Sequence, residues 1–291
     1  MQNLLNKPND KVLLLGVLGM LGSDLALVLA DLPGLVLWDK EQIDVTNQAE
    51  VLLKIKELKP KIIINATGYT DVLGAEDNHT AADSLNDRAV GYLADSAKLL
   101  DAWLVHFSTE YVFDGLTEAA GYDESARPKP LNYYGQSKMA GEKHILNYQN
   151  GFLIRTSWLY GRTPQRGKPR GLNFIATILQ KAQQQKNLQV VNDQFGKPTY
   201  TVDLANAVRK LLSNGYEPGI YHLVNEQATS WYELAREIGR LRGLKNSLQP
   251  VASADYPDLV VRPKKAILLN TKFPHLRPWQ EAVKEYLQTT L

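Results

Sequence analysis

The sequence has no cysteine, no long apolar run and almost no excess of either charge. The lack of cysteine excludes disulfides, thiol catalysis and cysteine-ligated zinc, and no oxidising compartment is needed. No apolar run reaches the ~18 residues of a membrane span. Residues 1–11 are polar and include Pro8, which is not the pattern of a signal peptide. We therefore expect a cytoplasmic protein with no membrane partner.

Charge and histidine placement narrow the classes of function further. The chain carries 33 lysines and arginines against 31 acidic residues, a net charge of +2 that argues against nucleic acid as the main partner. No two of its five histidines have the spacing of metal ligands, so we expect no metal site built on them. No Gly-x-Ser-x-Gly motif occurs, and nothing indicates a serine hydrolase.

A glycine-rich turn lies near the start of the chain. Residues 11–15 read as a buried strand, and residues 23–30 have apolar positions at helical spacing. Between them, Gly16 and Gly19 let backbone N–H groups approach a pyrophosphate, and Gly22 allows close packing of the helix. The spacing is Gly-x-x-Gly-x-x-Gly, and the strand before it and helix after it predict a dinucleotide-binding turn.

The next strand, residues 35–38, ends at an acid followed by a base. Asp39 favours NAD through the ribose hydroxyls, whereas Lys40 favours the phosphate of NADP, so the preference stays open. Asp44 has two interpretations: it caps the helix over residues 47–58, or it touches the adenine.

Two further strands, residues 61–65 and 103–108, lead to more candidate positions. The small residues Ala66, Thr67 and Gly68, and then Tyr69, follow the first strand, where the backbone must pass close to a cofactor. Thr109 follows the second strand, and ligands of open α/β sheets bind at such carboxyl ends.

Tyr134 and Lys138 are four residues apart, which places them one turn apart on a helix. An ammonium beside a phenol stabilises the phenolate, so we expect Lys138 to lower the pKa of Tyr134. Such a tyrosine can give a proton to a carbonyl oxygen, which the Thr109 hydroxyl can hold by a hydrogen bond.

The second half has no second glycine turn. Trp158 is either a core residue or part of a substrate pocket. Residues 161–171 contain four cations, namely Arg162, Arg166, Lys168 and Arg170. This loop is either solvated or closes over an anionic substrate such as a nucleotide diphosphate.

These elements predict an α/β fold, a Rossmann-type doubly wound parallel sheet with a smaller interleaved α/β substrate lobe. We expect residues 1–160 to form mainly the NAD(P)-binding domain and residues 161–291 mainly the substrate lobe. Within the second half, a helix at about residues 200–215 should pack back on the first domain.

Several motifs in order resemble those of the extended short-chain dehydrogenase/reductase superfamily, and within it the dTDP-4-dehydrorhamnose reductase family. They are the glycine turn, Ser-Thr-Glu-Tyr-Val-Phe-Asp-Gly at 108–115, Tyr-Gly-Gln-Ser-Lys at 134–138, Arg-Thr-Ser-Trp at 155–158, Asp-Gln-Phe-Gly-Lys-Pro-Thr at 193–199 and Arg-Pro at 262–263. The resemblance implies NADPH- or NADH-dependent reduction of dTDP-4-dehydro-L-rhamnose to dTDP-L-rhamnose.

The resemblance also implies roles for individual residues. The catalytic set would be Thr109, Tyr134 and Lys138, the last two also touching the cofactor. Other cofactor contacts would be Met20, Leu21, Asp44, Val45, Thr67, Gly68 and Tyr69. Glu110 and Trp158 would contact the sugar nucleotide.

The chain departs from that pattern near the expected substrate. Glu110 and Leu73 stand where Asp is usual, and Ala266 and Leu269 replace a usual Ser and Asp. Two alternatives therefore stay open: a reductase or epimerase of another nucleotide sugar, and a non-catalytic NADP-binding subunit that regulates a partner enzyme. The sequence leaves the oligomeric state open, with a homodimer as one candidate.

Overall fold

A six-stranded parallel sheet lies at the centre of the computed structural model, which describes residues 3–5, 9–117, 120–167, 171–255 and 260–290. In chain order the strands are β1 (Val12–Leu15), β2 (Leu35–Trp38), β3 (Ile62–Asn65), β4 (Trp103–Thr109), β5 (Gly151–Thr156), β6 (Leu159–Tyr160), β7 (Asn187–Val191), β8 (Phe195–Gly196), β9 (Thr199–Tyr200), β10 (Gly219–His222), β11 (Thr229–Ser230) and β12 (Ser247–Val251). The central sheet has the order β10-β5-β4-β3-β1-β2. Three two-stranded pairs join β11 to β8, β12 to β7 and β6 to β9.

The helices cover both faces of this sheet and build the second lobe. They are α1 (Met20–Val28), α2 (Gln48–Leu58), α3 (Gly74–Asp77), α4 (His79–Asp83), α5 (Ala89–Leu100), α6 (Tyr133–Leu146), α7 (Phe174–Gln184), α8 (Thr201–Ser213), α9 (Trp231–Arg242) and α10 (Trp279–Thr290). No helix in the described part of the chain is both long and apolar enough to cross a membrane.

Two buried clusters hold the helices to the sheet. On one face, Leu21 and Leu25 of α1 pack with Leu204 and Val208 of α8. On the other face, Val51 of α2 belongs to a cluster with residues of α5 and α6. Strands β1 and β3 are buried along their whole length, as their unbroken apolar runs predict. The predicted doubly wound α/β fold is confirmed.

The second lobe has its own apolar cluster, which gathers α7, α9 and α10 around Ile178, Ile238 and Val283. Strand β10 and helix α8 also come from the second half of the chain, yet they pack on the central sheet. The boundary at residue 160 stays a prediction.

The helical segment that runs from α4 into α5 is interrupted. The structure has a π-helical turn at Ser84–Arg88 between α4 and α5. The buried Asn86 lies in this turn, and its side chain bonds both the N–H and the carbonyl of Tyr69 at 2.9 and 3.0 Å. A π-turn places one extra residue on a helix face, and here it presents Asn86 to the edge where Thr67 and Gly68 lie.

The capping interpretation of Asp44 is wrong. Asn47 caps α2, since its side-chain oxygen accepts a hydrogen bond from the N–H of Glu50 at 3.2 Å. The Asp44 carboxylate accepts instead from the N–H and the hydroxyl of Thr46 at 2.9 and 2.7 Å.

Candidate active site

The candidate site lies at the carboxyl edge of the central sheet. A cavity of about 670 Å³ extends along this edge, from the glycine turn after β1 to the end of β5. A second cavity of about 190 Å³ adjoins it, and Tyr134 and Thr156 line both. Parallel strands deliver loops and helix N-termini to this edge, which is where open α/β sheets bind ligands.

The turn after β1 is shaped by its glycines and by Asp39. Gly16 has a φ of +81°, and a Cβ there would lie 2.9 Å from the carbonyl carbon of Ala66. Any larger residue at Gly22 would meet the Gly16 carbonyl, so Gly22 lets α1 begin directly against the turn. The Asp39 carboxylate accepts a 2.9 Å hydrogen bond from the N–H of Leu18, which ties the turn to the end of β2.

Most of the predicted cofactor residues line the larger cavity. They are Gly16, Gly19, Met20, Leu21, Asp39, Asp44, Val45, Ala66, Thr67, Gly68, Tyr134 and Lys138. Gly22 and Tyr69 do not line it. Gly22 packs beneath the turn, and the side chain of Tyr69 packs beside the cluster of Ala75, Ala82 and Tyr134.

Helix α6 carries Tyr134 and Lys138 into the site. Asn132 caps the helix by accepting a 2.9 Å hydrogen bond from the N–H of Gly135. Tyr134 and Lys138 are both buried on the face turned to the sheet. The structure therefore brings Tyr134 into hydrogen-bonding reach of Thr109, at the end of β4.

The expected lowering of the Tyr134 pKa is wrong. Burial raises the pKa of this phenol well above its usual value, and the nearby Glu110 carboxylate raises it further, while the hydrogen bond with Thr109 lowers it. Desolvation is the largest effect because the buried phenolate would lose its hydration. The phenol therefore keeps its proton throughout the physiological range.

Lys138 is held by groups other than the phenol. Its ammonium donates a 2.6 Å hydrogen bond to the Phe107 carbonyl and lies 3.3 Å from Nε2 of His106. Nδ1 of that histidine lies 3.1 Å from the side-chain nitrogen of Asn65. Burial lowers the pKa of Lys138 to about 8, against a smaller opposing effect of the Glu142 carboxylate.

The smaller cavity contains all three predicted substrate residues: Thr109, Glu110 and Trp158. The Thr109 hydroxyl donates to the Glu110 carboxylate at 2.9 Å, and both side chains are buried. Trp158 stacks on Trp231 with ring centroids 3.4 Å apart. Trp158 lines this cavity and also packs against the apolar cluster of the second lobe, so its position fits both interpretations.

Gly196 makes the placement of this indole ring possible. A Cβ at Gly196 would lie 2.5 Å from Cε2 of Trp158, so the ring packs directly on the backbone of β8. Trp158 itself has a φ of +46°, a left-handed conformation that is costly for a bulky residue. Backbone strain at a residue lining a cavity is typical of functional sites.

Two features of the site have no counterpart in the sequence-based predictions. Thr156 pairs in register with Thr109 across β4 and β5, and its buried hydroxyl has no hydrogen-bond partner among the described residues. Beneath it, the buried Arg155 guanidinium makes two hydrogen bonds to Glu142, at 2.9 and 2.7 Å. The position of Thr156 at the end of a strand was the signal that could have predicted it as a site residue. No spacing in the sequence links Arg155 to Glu142.

The basic loop is only partly described. Arg166 and Gly167 line the larger cavity, whereas Arg162 donates to the Tyr200 hydroxyl at 3.1 Å and lines neither. Lys168 and Arg170 lie outside the described residues. Within the described residues, no group of three or more histidines and acids is placed to hold a metal ion.

The arrangement is suited to one kind of chemistry. A neutral phenol, a threonine hydroxyl and an ammonium meet at the junction of two cavities, and the larger one has the volume of a ligand site. Such a set can protonate a carbonyl oxygen as negative charge develops on it.

Comparison with known proteins yields consistent matches over almost the whole chain. The family model described as RmlD substrate binding domain matches residues 10–291. The dTDP-4-dehydrorhamnose reductase of Escherichia coli K12 is 36% identical over 296 residues, covering 95% of this chain and 96% of the relative. The dTDP-4-keto-6-deoxy-D-glucose reductase of Streptomyces niveus is 35% identical over 263 residues, covering 89% and 88%.

Solved structures agree with these matches. The crystal structure of dTDP-4-dehydrorhamnose reductase from Bacillus anthracis in complex with NADP superposes with a TM-score of 0.89 at 33% identity. The superposition covers 97% of this chain and 99% of the other.

Proposed function

This chain belongs to the RmlD substrate binding domain family, and from that membership we propose that it is a short-chain-dehydrogenase-type oxidoreductase that uses NADPH or NADH to reduce the 4-keto group of a nucleotide sugar. One observation carries the proposal. Tyr134, Thr109 and Lys138 come together where a cavity lined by the glycine turn meets a cavity lined by aromatic side chains.

The residues around the larger cavity fit a nicotinamide dinucleotide. The approach of Gly16 to Ala66 and the start of α1 directly after Gly19 leave backbone N–H groups and a helix N-terminus for a pyrophosphate. Asp39, Lys40 and Asp44 lie at the other end, where the adenosine ribose would be held. The Thr156 hydroxyl, which has no partner in the part of the chain that the structure describes, would supply a polar contact at the end of β5.

A reduced nicotinamide supplies the hydride in this reaction class. Tyr134 would then give its proton to the substrate oxygen. Its raised pKa suits this direction, because the phenol is fully protonated and an alkoxide is a stronger base than a phenolate. Thr109 would orient the same oxygen by turning its hydroxyl proton from the Glu110 carboxylate, to which it donates at 2.9 Å, toward the substrate.

Lys138 would contribute charge from a fixed position. The Phe107 carbonyl holds its ammonium in a water-poor region, where a positive charge acts more strongly than it does in water. Gly68 is nearby, since a Cβ there would lie 3.8 Å from Nζ of Lys138. The ammonium therefore lies beside the backbone that would pass the cofactor.

The substrate we favour is dTDP-4-dehydro-L-rhamnose, giving dTDP-L-rhamnose. The Escherichia coli relative supports it by its name and its coverage. A second candidate is a different 4-keto-6-deoxy sugar attached to dTDP. The Streptomyces niveus relative supports it at nearly the same identity, and so does Glu110 in the smaller cavity, where the family usually has Asp.

A panel of 4-keto nucleotide sugars tested with NADPH and with NADH decides among these options. Loss of the reduced nicotinamide absorbance would be followed, and the product would be identified by mass spectrometry and NMR. Turnover of dTDP-4-dehydro-L-rhamnose above all others is the expected result. Turnover of another sugar would shift the assignment to the second candidate. Tight NADPH binding with no turnover of any sugar would support a non-catalytic subunit instead.

A further inference from the structure

Residues 161–167, here called the strap, leave the second lobe and pass along the mouth of the larger cavity. The strap follows β6, and at its start Gly161 is packed against the side chains of Met20 and Thr201 so closely that no Cβ would fit. Two residues on, the Thr163 hydroxyl accepts a 2.7 Å hydrogen bond from the hydroxyl of Ser23. The first part of the strap is thus fixed to the N-terminal turn of α1.

The far end of the strap is fixed on the other side of the cavity. Gly167 packs against the Thr70 hydroxyl, beyond the end of β3, and again no Cβ would fit between them. The N–H of Gln165 donates a 2.7 Å hydrogen bond to the Gly171 carbonyl. The strap therefore bridges two loops of the first half of the chain, one on each side of the cleft.

The strap presents a cation to this cleft. Gln165, Arg166 and Gly167 line the larger cavity. Arg166 is exposed and has no hydrogen-bond or ion-pair partner within the described part of the chain. The other strap cation, Arg162, is already engaged with Tyr200.

Two other cations line the same cavity, one at each end. Lys40 follows Asp39 at the end of β2, the adenosine end of a cofactor in this fold. Lys138 is bonded to the Phe107 carbonyl at the reaction end. The acids that line the cavity, Asp39 and Asp44, also lie at the β2 end. Among the charged residues of the described chain that line this cavity, Arg166 is thus the one that neither lies at the β2 end nor is bonded to a backbone carbonyl.

We infer that the strap covers the bound dinucleotide, and that Arg166 is the residue that pairs with its pyrophosphate. This inference rests on the proposed function, because it takes the cofactor class from there. A pyrophosphate is anionic in NADPH and NADH alike, and the planar guanidinium suits its oxygens. The sequence alone left two interpretations of this loop, either solvated or closed over the diphosphate of the substrate. The lining of the larger cavity favours a third, in which the loop contacts the cofactor.

Equilibrium titrations test the inference. NADPH, NADH and ADP-ribose, each carrying the pyrophosphate, and dTDP as a substrate probe would be titrated into wild-type protein and Arg166→Ala. Arg162→Ala is the matched control, since it removes the same charge from the same strap. We expect Arg166→Ala to raise the Kd of NADPH, NADH and ADP-ribose by a similar factor, about ten- to a hundredfold, and to leave the Kd of dTDP unchanged. Arg162→Ala should bind all four ligands as the wild type does.

Trypsin cuts after Arg166, so the rate of this cleavage measures how far a bound cofactor protects the strap. NADH should slow cleavage of the Arg166–Gly167 bond in wild-type protein at saturation, as measured by mass spectrometry of the fragments. An unchanged Kd in Arg166→Ala, a loss confined to NADPH, a loss confined to dTDP, or unaltered cleavage would each overturn the inference while the reductase assignment stands. Wild-type protein that binds none of the dinucleotides would instead overturn the proposed function.

Discussion

The Lys138 ammonium and the Phe107 carbonyl are joined by a 2.6 Å hydrogen bond. This bond ties α6, which carries Tyr134, to β4, which ends in Thr109. Lys138 thus has a structural role as well as an electrostatic one: it sets the position of the phenol relative to the hydroxyl. Removing its charge and removing its hydrogen bond are therefore separate perturbations.

Tyr134→Phe should remove turnover and spare cofactor binding. The phenol is the proton donor that the geometry offers, and loss of a general acid lowers kcat by about 10²–10⁴-fold. Steady-state kinetics and NADPH titration measure the two effects. Tyr133→Phe is the matched control, because its hydroxyl bonds Asp83 at 2.8 Å and lines neither cavity. Near-normal turnover in Tyr134→Phe would contradict the role of this residue.

The pH dependence of activity should have an alkaline limb near pH 8. Burial lowers the pKa of Lys138 to about 8, so its positive charge is lost as the pH rises through that value. We expect kcat/KM to fall above pH 8 in the wild type. Lys138→Arg keeps its charge to much higher pH, and any residual activity should lack this limb. A limb at the same pH in Lys138→Arg would assign it to another group.

The same shift has a consequence for stability. The pKa of Lys138 is lowered from 10.5 in the unfolded chain to about 8 in the folded one, so the unfolded state binds more protons between these values. The cost of the buried charge, about 3 kcal/mol, is fully present below pH 8 and is relieved as the pH rises toward 10.5. Urea titrations of wild type and Lys138→Met across this range should show this rise in unfolding free energy in the wild type only.

Thr156→Val should weaken ligand binding without harming the fold. The buried hydroxyl has no partner in the described residues, so replacing it by a methyl group should leave the unfolding free energy equal or higher. If the hydroxyl bonds cofactor or substrate, kcat/KM should fall by about five- to thirtyfold. Thr156→Ser restores the hydroxyl and should recover most of the loss. Unchanged kinetics in the valine variant would show that the hydroxyl makes no such contact.

Gly196→Ala should disturb the substrate cavity alone. Its Cβ would lie 2.5 Å from Cε2 of Trp158, so the indole ring must shift. We expect KM for the sugar nucleotide to rise about tenfold or more while the Kd of NADPH stays within twofold, since Trp158 lines only the smaller cavity. Gly239→Ala is a control with room for the methyl group, since only Leu248 comes within 4 Å, at 3.9 Å. Equal effects on both ligands would contradict this separation of the cavities.

Glu142→Gln should destabilise the whole fold. The pair of Glu142 with Arg155 is buried, and removing one charge leaves the other without compensation, which costs about 3–5 kcal/mol. Glu237→Gln is the control, because Glu237 pairs with Arg240, which is exposed, and such pairs contribute about 1 kcal/mol or less. Urea-induced unfolding compares the two variants. A loss below about 1 kcal/mol in Glu142→Gln would mean that water or a neighbour compensates Arg155.

The sequence predicted the fold well because the signals for it are local. The apolar runs at β1 and β3 and the glycines between β1 and α1 specify buried parallel strands and a tight turn. The carboxyl-edge rule then placed Thr109 correctly at the end of β4. The fold class needed no information beyond pattern and spacing.

The parts that the sequence could not supply depend on contacts between distant residues. The sign of the Tyr134 pKa shift depends on burial among Ala75 and Ala82, and on Glu110, none of which the four-residue spacing reveals. The π-turn at Asn86 depends on the backbone of Tyr69. The ion pair of Arg155 with Glu142 joins strand β5 to helix α6, and no local sequence pattern predicts it.

Strand β10 has a consequence for synthesis of the protein. It pairs with β5, although more than sixty residues separate them in the chain. While the ribosome makes that intervening stretch, the nascent polypeptide exposes β5 as an open, apolar strand edge. Chaperone capture and misassembly during translation should therefore concentrate in the interval before residue 222 emerges.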